Sequence, residues 1–527
     1  MWTAPTVGSD LSCDVSGDAR RALRVQWGLG GRVAHYDLAV IGAGPAGYAA
    51  AVRAWDLGKR VALIERGELG GAGVHDGALA SKTLWELSKD YQNANRRDRG
   101  FEASNVHVAF DQVALCVRNA IREKVGQLQK QLTALGQPYG DHAGRIEQVH
   151  GSAEFVDANT LRVTGTEAGQ ARTLSADAII VATGSRPRAL PEVKVDGDVI
   201  LTSDHILRID AFPDSLVIVG AGVIGCEFAT IFSNFGHTKV YLIDRADRIL
   251  PFEDADVAGV CATQMEAKGV TIHRGAHLQS LTRVGDRVEY TIRHPAGGLE
   301  TITVAKALIS VGRVPSTTGL NLAAAGVEIT DRGHITCAGT ATNVPHIHAV
   351  GDVTLDIALV NIGEIEGRHA VECLYLDRCK PLSYDNISTI MFLDPEVAGV
   401  GMNERLAQKN GQSYRVAVYG YDLVNRCIAM RSTTGFIKLL VTDDDEMRIL
   451  GMRALGAHAS TAIEAVSLMV CHGRGVRDLA ELLHPHPAVT EALQDCVRML
   501  LGSSIMKPHV FQSSLRMSRV TAAPREA

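Results

Sequence analysis

The chain has 527 residues, 21% of them charged and 46% hydrophobic, with 53 basic against 59 acidic side chains and a net charge of −6. That balance gives no basic field for nucleic acid, no apolar run reaches the length of a membrane span, and the length predicts roughly three domains. Ten cysteines are scattered without a C-x-x-C, which indicates neither a zinc site nor a disulfide scaffold and predicts reduced thiols in a cytoplasmic chain.

Residues 1–35 carry arginine, glycine and serine but no apolar stretch of the secretory kind, and read as a loosely ordered extension. Then the pattern tightens. Leu38-Ala39-Val40-Ile41 is a short apolar run, the mark of a buried strand. Gly42-Ala43-Gly44-Pro45-Ala46-Gly47 follows with G-x-G-x-x-G spacing, then an Ala-rich helix stopped at Gly58, then Val61-Ala62-Leu63-Ile64 ending in Glu65. Gly42 permits the tight turn, Gly44 lets a pyrophosphate approach the backbone, and Gly47 lets helix and strand pack closely. The free N–H groups at the helix start suit the anion, and Glu65 is placed for ribose hydroxyls. Strand, turn, helix and strand in this order predict a dinucleotide site.

A Gly-rich stretch then runs to Gly77, and a helix is expected from Ser81, with Leu84, Leu87 and Tyr91 at helical spacing. Residues 111–135 read as a long helix with Val113, Val117, Ile121, Val125, Leu128 and Leu132 on one stripe. Strands are expected at 153–156, 161–163 and 178–181, the last running into Ala182-Thr183-Gly184-Ser185-Arg186-Pro187. A second copy of the opening unit starts at Ser215, with Gly220, Gly222 and Gly225, the helix start Val223-Ile224, a break at Gly236 and a strand ending in Asp244. Two fingerprints predict two dinucleotides. Residues 307–315, containing Gly312-Arg313, close the second unit, and His348-Ala349-Val350-Gly351-Asp352 is another strand, turn and acid. From about Ser383 the pattern changes to strands at 389–392, 414–419 and 436–441 and helices at 460–472 and 488–501, a third domain of α+β character.

With these motifs in this order the chain resembles the flavoprotein disulfide reductases, in texture dihydrolipoamide dehydrogenase, mercuric reductase and soluble transhydrogenase. The resemblance spans about residues 36–508. It implies an α/β fold of two Rossmann-type domains and a C-terminal α+β dimerisation domain, with FAD at the first fingerprint, NAD(P)H at the second, and a homodimer. The expected divisions are an extension at 1–35, an FAD domain at 36–188 and 313–382, an NAD(P) domain at 189–312, a dimerisation domain at 383–509 and a tail at 510–527. FAD is expected to lie against Gly42, Gly44, Pro45, Ala46, Gly47, Glu65, Lys82, Thr183, Gly184, Gly351 and Asp352, the last holding the ribityl chain. NAD is expected against Gly220, Gly222, Val223, Ile224, Gly225, Asp244, Arg245 and Gly312. Lys82 would pair with Glu227 beside flavin N5, and His486 with Glu491 would form an acid–base dyad reaching the partner's flavin.

One departure stands out. Where the family reads G-G-T-C-x-N-x-G-C-x-P-S-K, this chain has Gly70-Gly71-Ala72-Gly73-Val74-His75-Asp76-Gly77-Ala78-Leu79-Ala80-Ser81-Lys82. Gly73 and Ala78 stand at the two cysteine positions and cannot form a thiolate. Both are smaller than cysteine, so a slot for a planar acceptor is expected beside the flavin. His75 and Asp76 read as loop filler or as acceptor contacts, His484 as a surface or cap residue, and Cys226 as a packing residue or a thiol of low pKa. Asp244 favours NADH, because a 2′-phosphate would bring like charge beside it, while Arg245 works in the other direction. The expectation is an FAD-dependent NAD(P)H dehydrogenase that serves a small acceptor such as a quinone. The alternatives are a soluble pyridine-nucleotide transhydrogenase and a relay or non-catalytic subunit of a larger complex.

Overall fold

The computed structural model describes residues 33–165, 171–354 and 357–521, so residues 1–32 of the expected 1–35 extension lie outside it, while Ala34 and His35 already belong to the first strand. The strand Ala34–Ile41 pairs in parallel with Arg60–Glu65 on one side and Ala171–Val181 on the other. Leu38, Ala39 and Val40 are fully buried. A strand covered on both faces has no polar side to show, hence the continuous apolar run. Arg145–His150 and Ile347–Ala349 extend the parallel array, and the antiparallel strands Ser152–Phe155 and Thr160–Thr164 complete a sheet of seven among the described residues. Helices Pro45–Asp56 and Val360–Tyr375 lie together at small residues. A Cβ on Gly363 would stand 3.2 Å from Ala46 Cβ, and one on Gly367 would strike the Ala46 carbonyl.

The second domain repeats the plan. Among the described residues its parallel sheet has five strands, in the order Thr271–His273, Lys239–Ile243, Ser215–Val219, Lys306–Ile309 and Ile200–Thr202. Helix Val223–Phe235 follows the second fingerprint, and a small antiparallel sheet of His277–Val284, Arg287–Arg293 and Leu299–Val304 covers the other side. The long helix runs over Phe110–Leu135, with Val113, Val117 and Leu132 of the predicted stripe buried and Ile121, Val125 and Leu128 half-buried.

The third domain is built on an antiparallel sheet of six strands among the described residues, backed by helix Glu491–Leu500. Here the expected tail at 510–527 is corrected. Leu515–Val520 is an edge strand paired with Tyr414–Gly420, from Tyr419↔Leu515 to Tyr414↔Val520. Only Leu515 of that strand is buried, so it carries almost none of the alternation that marks a strand in sequence. The helix expected at 460–472 is split into a 3₁₀ turn, Ala459–Ala462, and the helix Glu464–Cys471. Lys438 is fully buried and joins the second and third domains, 2.6 Å from Asp254, 2.6 Å from Asp256 and 3.0 Å from Glu404. The expectation of free thiols throughout is also corrected, since Cys373 and Cys379 are bonded to each other. Among the described residues, no helix is long and apolar enough to cross a membrane.

Candidate functional site

The two fingerprints have nearly the same geometry. Gly42 has φ +105° and Gly220 φ +104°, in the region open to glycine. A Cβ on either would collide with the carbonyl at the end of the neighbouring strand, Ala182 or Ser310, and a Cβ on Gly47 or Gly225 would strike the first glycine's carbonyl. The strand-end acids hold the turns. Glu65 Oε2 accepts from the Ala43 N–H at 2.7 Å and Oε1 from the Gly67 N–H at 2.7 Å. Asp244 Oδ2 accepts from the Ala221 N–H at 2.6 Å and Oδ1 from the Ala246 N–H at 2.8 Å. Arg245, next to it, is exposed.

Both sites fit a dinucleotide. A Cβ on the second glycine, Gly44 or Gly222, would meet no protein atom within 4 Å, which leaves room for a phosphate against the backbone. Neither helix start, Pro45-Ala46-Gly47 or Val223-Ile224-Gly225, has a side-chain cap, which leaves its N–H groups free for an anion. At the first site Thr183 Oγ1 is buried with no protein partner, a hydroxyl positioned for a bound group.

The acid of the third turn is braced by residues that sequence reasoning missed. Asp352 Oδ2 accepts from Ser185 Oγ at 2.6 Å, and Arg313 Nε donates to the same Ser185 Oγ at 2.7 Å. The Gly351 N–H donates to Glu366 Oε2 at 2.6 Å, and Glu366 is 2% exposed. An acid on the buried face of an amphipathic helix is the signal that marked Glu366. Gly184 at φ +65° and Gly312 at φ +105° let the strand ends turn beside this network.

Lys82 and Glu227 meet as expected, Nζ donating to Oε2 at 2.8 Å. Glu227 is buried and also accepts from the Phe392 N–H at 3.0 Å, while the Phe392 ring lies 5.0 Å from the ammonium. Around the altered loop the expected slot is corrected at Gly73. A Cβ there would stand 2.5 Å from Pro45 Cγ and 3.4 Å from Val360 Cγ2, so the chain has closed in where a side chain is missing. Ala78 opens helix Ala78–Ala94 and is half-buried. His75 braces the loop, and Asp76 ties it to the second domain. His75 Nε2 donates to the Leu69 carbonyl at 3.0 Å, and Asp76 pairs with Arg208 at 2.8 Å. Cys226 is fully buried, and burial pushes its thiol well above the ordinary value, which makes it a packing residue.

In the third domain His486 Nδ1 donates to Glu491 Oε1 at 2.7 Å, and Glu491 Oε2 accepts from the Ala488 N–H at 2.9 Å. Burial pushes the Glu491 carboxyl up, but these hydrogen bonds outweigh it and hold the group below its ordinary value. The imidazole is 64% exposed, with Nε2 as its outward nitrogen. His484, expected at the surface, is half-buried with Nε2 unpartnered, and burial, then Arg498, lower its pKa.

Residues 36–369 match the pyridine nucleotide-disulphide oxidoreductase family and residues 387–497 its dimerisation domain. The chain is 33% identical over 472 residues to a dihydrolipoyl dehydrogenase of Bacillus subtilis, covering 89% of this chain and 97% of that protein. It is 34% identical over 469 residues to the dihydrolipoyl dehydrogenase of Geobacillus stearothermophilus, covering 88% and 96%. Among solved structures, LpdA of Mycobacterium tuberculosis is similar at TM-score 0.80 and 26% identity, covering 89% of this chain and all of that one. The HOCl-induced flavoprotein disulfide reductase RclA of Escherichia coli is similar at TM-score 0.77 and 26% identity, covering 88% and 100%.

Proposed function

The chain belongs to the pyridine nucleotide-disulphide oxidoreductase family, and from that premise we propose that it is an FAD-dependent NADH dehydrogenase that passes electrons from flavin directly to a small acceptor such as a quinone, with no dithiol between them. The observation that carries this reading is Gly73 and Ala78 at the two positions where the resemblance puts redox cysteines. Neither can form the thiolate that a dithiol relay needs. The other parts of such a site remain: two phosphate-binding turns, two strand-end acids, a Lys82–Glu227 pair with a buried carboxylate and a His486–Glu491 dyad.

Bound FAD would supply two-electron exchange between the nicotinamide and the acceptor. The protein's own residues have separable tasks. The N–H groups at the starts of helices Pro45–Asp56 and Val223–Phe235 would hold the pyrophosphates, Glu65 and Asp244 would orient the riboses, and Asp352 would anchor the ribityl chain. Lys82, fixed by Glu227, would hold a positive charge beside the bound cofactor. In a homodimer joined through the third domain, His486 of the partner subunit would supply the proton to the acceptor. Its Glu491 contact fixes the tautomer, and Nε2 moves a proton to the acceptor oxygen.

An anaerobic acceptor screen tests the reading. NADH should bleach the flavin absorption, a benzoquinone should restore it, and dihydrolipoamide should leave the oxidised spectrum unchanged. Bleaching by dihydrolipoamide that thiol alkylation abolishes would sink the proposal, and NADPH-to-NAD transfer faster than any quinone reaction would favour a transhydrogenase.

A further inference from the structure

His369, Cys373 and Cys379 converge at the C-terminal end of helix Val360–Tyr375. Near its start the same helix packs Gly363 against Ala46 of the first fingerprint. Cys373 lies roughly ten residues further along, about 15 Å at the helical rise, so the cluster is separate from the site above. Its spacing, H-x3-C-x5-C, contains no C-x-x-C and gives no metal signature in the sequence.

Cys373 Sγ is 3.4 Å and Cys379 Sγ 3.1 Å from His369 Nε2. The other ring nitrogen, Nδ1, is 3.1 Å from Thr340 Oγ1, and that hydroxyl is also 3.0 Å from Nδ1 of the buried His348. Cys373 Sγ is also 3.7 Å from Nδ1, so Nε2 faces Cys379 while Cys373 stands beside the ring. The Thr340 contact on Nδ1 is of the outer-sphere kind that orients a metal-bound histidine. In a tetrahedral zinc site with bonds of about 2.3 Å to sulfur and 2.0–2.1 Å to nitrogen, the S···N edge is about 3.5 Å and the S···S edge about 3.8 Å. Both S···N edges are already within a few tenths of an ångström of that value. The sulfurs are bonded to each other, so the S···S edge has to open, with a turn of the ring that brings Nε2 to face both sulfurs.

We propose that His369, Cys373 and Cys379 form a site for a thiophilic d¹⁰ cation, Zn²⁺ in the first place, which is open when the cysteine pair is reduced and closed when it is bonded. A dithiol reductant opens the S–S bond by exchange, handing over two electrons and two protons to leave two thiols and closing to a disulfide itself. The ion then displaces both thiol protons, takes neutral Nε2 as third ligand and leaves the fourth position to water. Thiol oxidation and metal binding at this end of the helix exclude each other.

The test uses the full-length, FAD-loaded protein. A phosphine converts the cystine and one water into two thiols and the phosphine oxide. After its anaerobic removal, Zn²⁺ is titrated against a chromophoric chelator. Reduced protein should take one Zn²⁺ per chain. Binding should be at least ~100-fold weaker in the disulfide-bonded protein and in Cys373→Ser/Cys379→Ser, and roughly 10–100-fold weaker in Thr340→Val. Zinc-edge absorption should report two sulfurs at about 2.3 Å. Equal zinc binding before and after reduction, or a zinc shell of nitrogen and oxygen alone, would overturn the site, and both measurements need only the wild-type chain.

Discussion

Lys82 Nζ donates to Glu227 Oε2 over 2.8 Å, which links the helix after the altered loop, Ala78–Ala94, to the helix of the second fingerprint, Val223–Phe235. The two partners are unequally buried, with side-chain exposures of 27% for Lys82 and 7% for Glu227. That inequality sets an asymmetry between variants. Lys82→Met leaves a buried carboxylate without its counter-charge and should cost about 3–5 kcal/mol. Glu227→Gln should cost clearly less, since the amide oxygen still accepts from the Phe392 N–H and Lys82 can turn to water. Denaturant unfolding of the two variants checks the order; equal losses would mean that the unequal burial of the partners does not set the cost.

Gly73 carries a second expectation. Pro45 Cγ would stand 2.5 Å from a Cβ added there, and the proline ring has little freedom to move. Gly73→Ala should therefore lower stability by about 1–3 kcal/mol, the range for overpacking a filled site, and reduce FAD retention, because Pro45 opens the fingerprint helix. Ala78→Cys, at a half-buried helix start, should be tolerated. Thermal unfolding and flavin content per chain measure both. A fully stable Gly73→Cys/Ala78→Cys protein that gains dihydrolipoamide activity would show that the loop still accommodates a dithiol.

The parts of this molecule that were legible in the sequence are those a backbone constraint writes into residue type. Gly42, Gly47, Gly220 and Gly225 have no room for a Cβ, so both fingerprints could be read directly. Contacts closed through space left no such record. Ser185 and Asp352 are 167 positions apart, and neither residue's neighbours betray the bond. The same holds for the Phe392 N–H on Glu227, 165 positions away. The strand Leu515–Val520 escaped because an edge strand with one buried residue has no pattern to show. Cys373 and Cys379 escaped because their ring is completed by His369, one helical turn before Cys373, and by a loop beyond the helix end.

Asp244 should decide the choice of coenzyme. Its oxygens are engaged by the Ala221 N–H of the glycine turn and the Ala246 N–H of its own turn, which fixes the carboxylate at the strand end. A 2′-phosphate at ~4 Å would meet it with about 4 kcal/mol of repulsion at an effective dielectric of 20. The expected kcat/KM therefore favours NADH over NADPH by more than ~100-fold, with Asp244→Asn narrowing the ratio at least ~10-fold. Steady-state kinetics with both coenzymes decides; a wild type indifferent to the phosphate would give the exposed Arg245 the controlling role.

The dyad makes a prediction about pH. Glu491 titrates below its ordinary value of 4.5 in the folded protein, so on acidification the unfolded chain takes up its proton first. The stability this group contributes is complete above the ordinary value, declines below it, and is gone once the folded value has been passed. The difference in unfolding midpoint between wild type and Glu491→Gln should be flat from about pH 5.5 to 8 and should shrink progressively below about pH 4.5. A difference that grows on acidification would reverse the sign and rule out the hydrogen-bonded carboxylate as its source.

His486 separates a chemical role for the dyad from a structural one. Its Nδ1 is committed to Glu491 at 2.7 Å, so proton transfer falls to Nε2, on a ring that is 64% exposed in the single chain. A general acid typically contributes 10²–10⁴-fold. His486→Gln should slow turnover with a quinone by roughly 10²-fold, because the acceptor oxygen needs a proton as it is reduced. Ferricyanide, which takes one electron and no proton, should be reduced at close to the wild-type rate by the same variant. The split between acceptors is what a purely structural histidine cannot produce, since a disturbed dimer or a displaced flavin would slow both. Equal slowing would therefore assign the dyad to the interface, and unchanged quinone turnover would remove it from the reaction.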